Sequence, residues 1–464
     1  MTSLAELVPT RGELREMVRL ATPVVVAQVG LMTMGVVDTA MVGRVSADAI
    51  AATALGHIYW SNLFLFGLGL LLVLDPVVSQ AVGARDSAAV RRGVQRGVVL
   101  AVCSTLVMSM ALWGGEGFFR RLHQPPGVVP VTGAVLRLLI PGVLPSFLFV
   151  VARQSLQAMG RSKAVVASIV GANLLNVVLN WALIYGHLGA PALGAEGSAI
   201  STSICRWLSL AIIVVVDFDV LRPTLRPWDS ASLAATPLWR MVRLGLPIAF
   251  QQWLEVAVFA AGGLVIGTFG AAALAAHEIV LNLAATTFMV PVGVSAAAAA
   301  MVGRAIGRED IVAARRDAVA ALVVGVGFML VATLLFTGIP AAIAGRFATD
   351  PAVIAMSVAL LPIAGIFQVF DGIQAVSAGV LRGTGDTRVP MLLHLGGFWG
   401  VGIPLSLFLC FGLGLGPRGV WWGYVGSLVV VALLQGGRLR WRFQQDIKRL
   451  HLDETQEHEI VALD

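Results

Sequence analysis

Charge is scarce in this sequence. Asp, Glu, Lys and Arg make up 12% of its 464 residues, and only Lys163 and Lys448 among the 32 basic residues are lysine. Cysteine is rarer: Cys103, Cys205 and Cys410 stand far apart within apolar runs, which argues against a disulfide framework or a zinc site and makes them small packing residues. No GxxxxGK[ST] segment is present, so ATP is not an evident energy source. His277 and Glu278 begin an HExxH pattern, but Leu281 stands where its second histidine belongs, and the zinc-protease reading fails. Alternation of polar and apolar residues over strand-length segments is also missing, which excludes a membrane β-barrel.

Apolar sequence fills the space left. Hydrophobic residues reach 58% and mean hydropathy is +0.87, the composition of a chain whose solvent is largely lipid. Apolar runs long enough to cross a bilayer fall at 17–43, 49–82, 94–114, 128–156, 164–186 and 196–217, then at 240–268, 273–303, 317–344, 352–381, 389–414 and 419–441. In hydrocarbon every backbone group must pair internally, so each run predicts a helix. The fold class expected is an all-α integral membrane protein of twelve helices.

The stretch PVVVAQVGLMTMGVVDTAMVGRVSADAIAA (Pro23 to Ala52) returns without a gap as PIAFQQWLEVAVFAAGGLVIGTFGAAALAA (Pro247 to Ala276), with Gln28 matching Gln252 and Gly43 matching Gly267. QAVGARDSAAVRR (Gln80 to Arg92) is answered at the same offset by RAIGREDIVAARR (Arg304 to Arg316). The domains expected are a terminal segment 1–16, a six-helix lobe 17–217, a linker 218–239 rich in proline and charge, a second lobe 240–443, and a tail 444–464 that is acidic, polar and frayed. An even number of spans per half relates two six-helix bundles by a pseudo-two-fold axis along the membrane normal. Most of the 32 basic residues fall in loops on the side holding both termini. Topology explains the pI near 9.9 better than nucleic acid does, and both termini are expected in the cytoplasm, in a multi-pass protein of the plasma (inner) membrane. No cleaved signal peptide is expected. Pro76, Pro141, Pro145, Pro291, Pro362 and Pro404 lie within spans and predict bent helices.

Acids within spans are few: Asp38, Asp75, Glu255 and Asp371, with Glu278 near a span end. A carboxylate at mid-bilayer costs about 2.5–3.5 kcal/mol on an insertion scale, so such positions are rarely idle. Counting the helical rise places Glu255 and Asp371 at similar depths, about 22 and 18 Å from the inner helix ends. Asn176 and Asn180 share one helix face at comparable depth, and Asn282 joins them as a polar-cavity residue. Such a cavity suits a small cation or a proton held by carboxylate and amide oxygens, while an amide pair that only glues helices together is the alternative for the asparagines. Asp38, nearer the outer face, is either partly solvated or, among small and apolar neighbours, a carboxylate switched by protonation. Asp75 precedes Pro76 and reads more readily as a helix cap than as a transport residue. His57, His187 and His394 are lone histidines that read as packed. Trp60, Trp181, Trp421 and Trp422 read as interface anchors. The arginines well within spans, Arg137, Arg153 and Arg206, belong to the first half, away from Glu255 and Asp371.

GVVDTAMVGRVSADAIAATALG, the EVAVFAAGGLVIGTFGAAALAAHEIVLNLAATTFMVPVGVSAAAA segment, NLLNVVLNW and LRGTGDTRVP together resemble the MATE (multidrug and toxic compound extrusion) transporters, most closely the bacterial NorM-type branch, from about Leu20 to Trp441. LDPVVSQAVGARD is nearer the form of eukaryotic members. The resemblance implies two six-helix lobes around a large cavity and export of amphipathic organic cations driven by inward Na⁺ or H⁺, with no other cofactor. The family's coupling and counter-charge acids correspond to Asp38, Glu255 and Asp371, and its fifth-helix asparagines to Asn176 and Asn180. Na⁺ would sit at Glu255 and Asp371. One turn before Asp371, Phe367 stands where some NorM-type members carry tyrosine, a lost hydroxyl that weakens sodium more than proton coupling.

The expectation is therefore a monomeric antiporter, not an enzyme, whose partners are small organic cations and the lipid bilayer. The alternative is an exporter of a lipid-linked or metabolite cargo on the same bundle, which predicts a cavity lined by Arg rather than by acids. A membrane-embedded enzyme or sensor would need a nucleophile, a metal cluster or a large soluble domain.

Overall fold

A computed structural model describes residues 8–453, and all regular structure among them is helical. Twelve helices are long and apolar enough to cross a membrane: α1 (Arg11–Val42), α2 (Ala49–Gly83), α3 (Ser87–Trp113), α4 (Val128–Ala158), α5 (Lys163–Tyr185), α6 (Ala195–Val216), α7 (Ala235–Gly267), α8 (Ala271–Gly307), α9 (Ile311–Gly338), α10 (Pro351–Gly383), α11 (Arg388–Gly412) and α12 (Pro417–Arg442). They form a multi-pass membrane protein of two six-helix bundles. Several spans start earlier than hydropathy predicts because polar residues cap them. Thr10 and Glu13 form a reciprocal capping box at the start of α1, and Asp86 accepts from the Ala89 N–H (2.9 Å) to start α3.

The repeat is visible in backbone geometry. Arg85 and Glu309, equivalent in the two copies, both adopt left-handed φ (56° and 60°), and each is followed by an aspartate, Asp86 or Asp310, that caps the next helix. The halves meet by the same symmetry. Gly83 of α2 lies so close to the Arg304 carbonyl of α8 that a Cβ would overlap it, and Gly307 of α8 lies equally close to the Gln80 carbonyl of α2. A second symmetric pair brings Gly69 onto Ala249 of α7 and Gly293 onto Val25 of α1. All four glycines sit in the half of the spans nearer the termini. There Met17 and Ala21 of α1 also share one buried cluster with Val294, Ala297 and Met301 of α8.

Proline bends the spans unequally. α2 is interrupted at Leu72–Val73 ahead of Pro76, α4 passes through a tight turn at Ile140–Gly142, and α11 is widened into π-helix on both sides of Pro404. Pro291 and Pro362 instead lie within continuous helices. Cys205 and Cys410 are buried, but Cys103 is exposed, so it does not serve the packing role expected of it. Trp60 and Trp421 likewise turn inward (9% and 0% exposed), while Trp181 and Trp422 are exposed.

The first part of the tail expected to fray is instead held against the protein. Residues 443–453 form a strap across the termini side: Phe443 and Ile447 enter the buried cluster, and the Leu450 N–H donates to Gln80 Oε1 (2.8 Å). Arg449 pairs with Asp86 (2.8 Å), Asp453 with Arg92 (2.8 Å) and Arg96, and Arg240 of α7 donates to the Leu452 carbonyl (2.9 Å). Basic residues at the helix ends thus capture a segment that composition alone marks as solvated; residues 454–464 of that tail lie outside those described.

Gly83→Val and Gly307→Val are each expected to lower the melting temperature of the purified chain, costing about 1–3 kcal/mol by overpacking. Gly327→Val, with open space beside it, is the control, and equal effects at all three positions would contradict the close-contact account. The strap carries a pH prediction. The Ala89 N–H and the Arg449 guanidinium hold the Asp86 carboxyl below the ordinary carboxylate range. A carboxyl depressed in the folded state adds stability that is present above its unfolded value, about 3.9, and lost as pH falls below it. Amide exchange across 446–453, corrected for intrinsic rate, is therefore expected to rise on acidification from about pH 5 to 3. Unchanged protection would refute that anchoring.

Candidate functional site

Three polar clusters are built inside the bundle. In the first half, Asp38 of α1 faces a cavity of about 720 Å³. Asn176 and Asn180, one turn apart on α5, both donate to Asp38 Oδ1 (3.0 and 2.6 Å), and Thr202 of α6 donates to Oδ2 (3.0 Å). The asparagines are fully buried and Asp38 is partly so. Amide nitrogens rather than oxygens face the carboxylate, so Asp38 accepts from three donors on two neighbouring helices. One turn deeper on α6, Arg206 lies with its guanidinium carbon 3.8 Å over the ring of Trp60. Arg153 of α4, 6% exposed, donates to Gln28 Oε1 (3.3 Å). His57, Trp60, Arg153 and Arg206 all line the cavity, so the reading of His57 as merely packed and of Trp60 as an interface anchor gives way to places in its wall.

In the second half, Glu255 of α7 and Asp371 of α10 are joined by one amide: Gln374 Nε2 donates to Glu255 Oε1 (3.1 Å) and lies 3.4 Å from Asp371 Oδ1. The Gln374 oxygen sits 2.8 Å from His394 Nε2 of α11, and that ring nitrogen lies 4.0 Å from Glu255 Oε2. His394 Nδ1 lies 2.8 Å from the Pro390 carbonyl, with Gln251 of α7 and Gln435 of α12 completing a ring of amides. Asp371, Gln374 and His394 are 3%, 1% and 0% exposed. His394 is packed as read but not alone: its ring lies beside Gln374 and Glu255. Nothing local in the sequence ties Gln374 and His394 together; only their placement on the spans that pack against Glu255 does so. Phe367, one turn before Asp371, packs against Phe259, Trp421 and Tyr424 and brings no hydroxyl. The Tyr424 hydroxyl turns instead to the Phe259 carbonyl (3.4 Å).

The third cluster joins the halves. Asp75 of α2, 4% exposed, pairs with Arg382 of α10 (2.8 Å) and accepts from Gln154 of α4. The capping reading of Asp75 fails, because its carboxylate points across the interface to Arg382 and the helix segment in whose first turn it lies has no side-chain cap. Asn282 and Glu278 join none of these clusters. They continue the stripe of α8 on which Thr286 reaches Met32 Sδ of α1 (3.9 Å), and both are exposed. Among the described residues no group of three or more His, Cys, Asp or Glu is arranged to hold a metal ion.

Comparison with known proteins gives one consistent answer. The MatE family model matches residues 23–182 and 247–408, the two copies of the repeat. The chain is 37% identical to a multidrug resistance protein NorM of Burkholderia vietnamiensis over 92% of each chain. It is 36% identical to a probable multidrug resistance protein NorM of Mesorhizobium japonicum, over 91% of this chain and 93% of that one. Among solved structures it resembles the eukaryotic MATE transporter AtDTX14, with a TM-score of 0.81 at 22% identity over 93% of this chain and 99% of that one. It also resembles a MOP superfamily transporter from Pyrococcus furiosus, described as having a binding pocket of reverse polarity, with a TM-score of 0.85 at 18% identity over 94% and 97%.

Asp75→Asn is expected to cost about 3–5 kcal/mol of stability because it strands Arg382 without its counter-charge. Arg382→Gln should cost a similar amount, and the double variant less than the sum. Additive losses in thermal or denaturant melts would show that the pair is not coupled.

Proposed function

The chain belongs to the MatE family of multidrug efflux transporters, not to an enzyme family, and on that premise we propose that it exports amphipathic organic cations in exchange for protons. The observation that carries the reading is the Glu255–Gln374–Asp371 cluster, half-buried at Glu255 and buried at the other two, with which no arginine pairs among the described residues. The polar groups around these two acids are an amide N–H and imidazole nitrogen, whereas a bound Na⁺ calls for several oxygens, and Phe367 supplies none. Protonation of either carboxylate removes an acceptor of the Gln374 amide, so the hydrogen bonds that join α7, α10 and α11 must re-pair. Cationic substrate occupies the first-half cavity, with Asp38 as counter-charge.

The lobes that exchange access are 17–217 and 240–443, joined by the linker 218–239 and flanked by segments 1–16 and 444–464. The termini side faces the cytoplasm of a plasma (inner) membrane protein, a reading that the basic residues gathered on that side support. The tight glycine contacts then close the cytoplasmic side, an outward-facing arrangement, with Glu278 and Asn282 on the exposed stripe above the closure. The unit of transport is the monomer. One observation favours the alternative cargo: Arg153 and Arg206 line the same cavity as Asp38.

Ethidium efflux from reconstituted vesicles tests the proposal, with pH and Na⁺ gradients imposed separately. Efflux is expected to follow the pH gradient. Glu255→Gln or Asp371→Asn should lower it by about tenfold or more, within the usual range of coupling free energies, while leaving the purified chain folded. Efflux driven by Na⁺ alone would replace the proton with sodium at this site, and normal pH-driven efflux in both variants would refute the coupling role.

A further inference from the structure

The first-half cavity holds more positive than negative charge. Among the described residues neither Arg153 nor Arg206 has a carboxylate within 4.0 Å. Asp38 shares the cavity, but its two oxygens are taken by Asn176, Asn180 and Thr202. Arg153 has a neutral amide as its hydrogen-bond partner, and Arg206 has the face of an indole. Thr53 Oγ1, Trp60 Nε1, Arg153 Nε and Arg206 Nη1 are enclosed in the wall without partners, and each of these groups carries a hydrogen to donate. Each guanidinium has a carboxylate in its surroundings, Asp75 for Arg153 and Asp38 for Arg206, but none at ion-pair distance, so its charge is incompletely balanced when the cavity is empty.

The two arginines stand at different depths. Arg206 packs beside Gly142 of α4, and Arg153 lies eleven residues further along the same span, about 16 Å deeper by helical rise. A single anionic group therefore meets one of them. Arg206 is the better placed: it lies on the face of Trp60, which is itself stacked on Phe64 (4.6 Å between centroids), so the guanidinium is held in a wall that Phe64, Leu68, Val135 and Leu139 line with apolar surface. Arg153 adds charge of the same sign at the closed end.

We propose that this cavity also binds an amphipathic organic anion, an aromatic carboxylate, with the carboxylate on the Arg206 guanidinium and the ring against the apolar wall of Phe64, Leu68, Val135 and Leu139. This goes beyond cation export by giving the cavity a second substrate class, and it concerns binding alone, so it stands apart from the coupling chemistry of the other half.

The test is equilibrium binding of radiolabelled 1-naphthoate, and separately of tetraphenylphosphonium, to the purified full chain. Saturable naphthoate binding is expected, and neutral 1-naphthamide, with the same ring, should bind at least about tenfold more weakly. Arg206→Gln is expected to weaken naphthoate at least about tenfold while tightening tetraphenylphosphonium, because a positive charge leaves the neighbourhood of Asp38. Arg206→Lys should retain more naphthoate affinity than Arg206→Gln. Opposite shifts for the two ligands cannot come from misfolding, which weakens both. Equal affinity for naphthoate and naphthamide, or shifts of the same sign for both ligands in Arg206→Gln, would overturn the proposal. Tetraphenylphosphonium binding without naphthoate binding would overturn it while sparing the cation-export reading, whereas a folded chain that binds neither would count against both.

Discussion

Everything in this molecule is arranged around the close approach of α2 and α8. Gly83 against the Arg304 carbonyl and Gly307 against the Gln80 carbonyl are one contact made twice, and neither site has room for a Cβ. Lipid tails are as apolar as leucine, so helices in a bilayer gain little from hydrophobic burial against one another and rely on such backbone-to-backbone fits. Because the fit is two-fold, it fixes both the angle between the halves and the side on which they touch. The Asp75–Arg382 pair sits within that contact, where packing keeps out the water that would otherwise screen it.

The two acid clusters are built on opposite sides of this contact and differ in kind. Asp38 accepts from three donors on α5 and α6, which hold its carboxyl in one place in the cavity wall. Glu255 and Asp371 share a single amide that also serves His394, so their protonation cannot change without altering a bond to another helix.

The architecture was readable from sequence because the repeat and the apolar runs are local properties, and lipid leaves helices as the only solution. The grouping of Asn176 with Asn180 was readable for the same reason: a four-residue spacing puts both on one helix face. Their partner was not, since depth estimates cannot say which helix faces which, and the pair turned to Asp38 rather than toward Glu255. Gln374 and His394 carry no signal of their own; a glutamine and a lone histidine on separate spans become a network only when α10 and α11 pack. Asp75 was misread because its partner lies in the other half of the chain. The strap was misread because acidic, polar composition predicts solvation, and only the fold shows the arginines of α3 and the end of α2 waiting for it.

That strap has a mechanical consequence. It is bonded to Gln80, Asp86, Arg92 and Arg96 in one half and to Arg240 in the other, and it is anchored by Phe443 at the end of α12. Any separation of the halves on the termini side therefore lengthens the path the strap must span or detaches it bond by bond. Residues 443–453 are thus a tether between the halves.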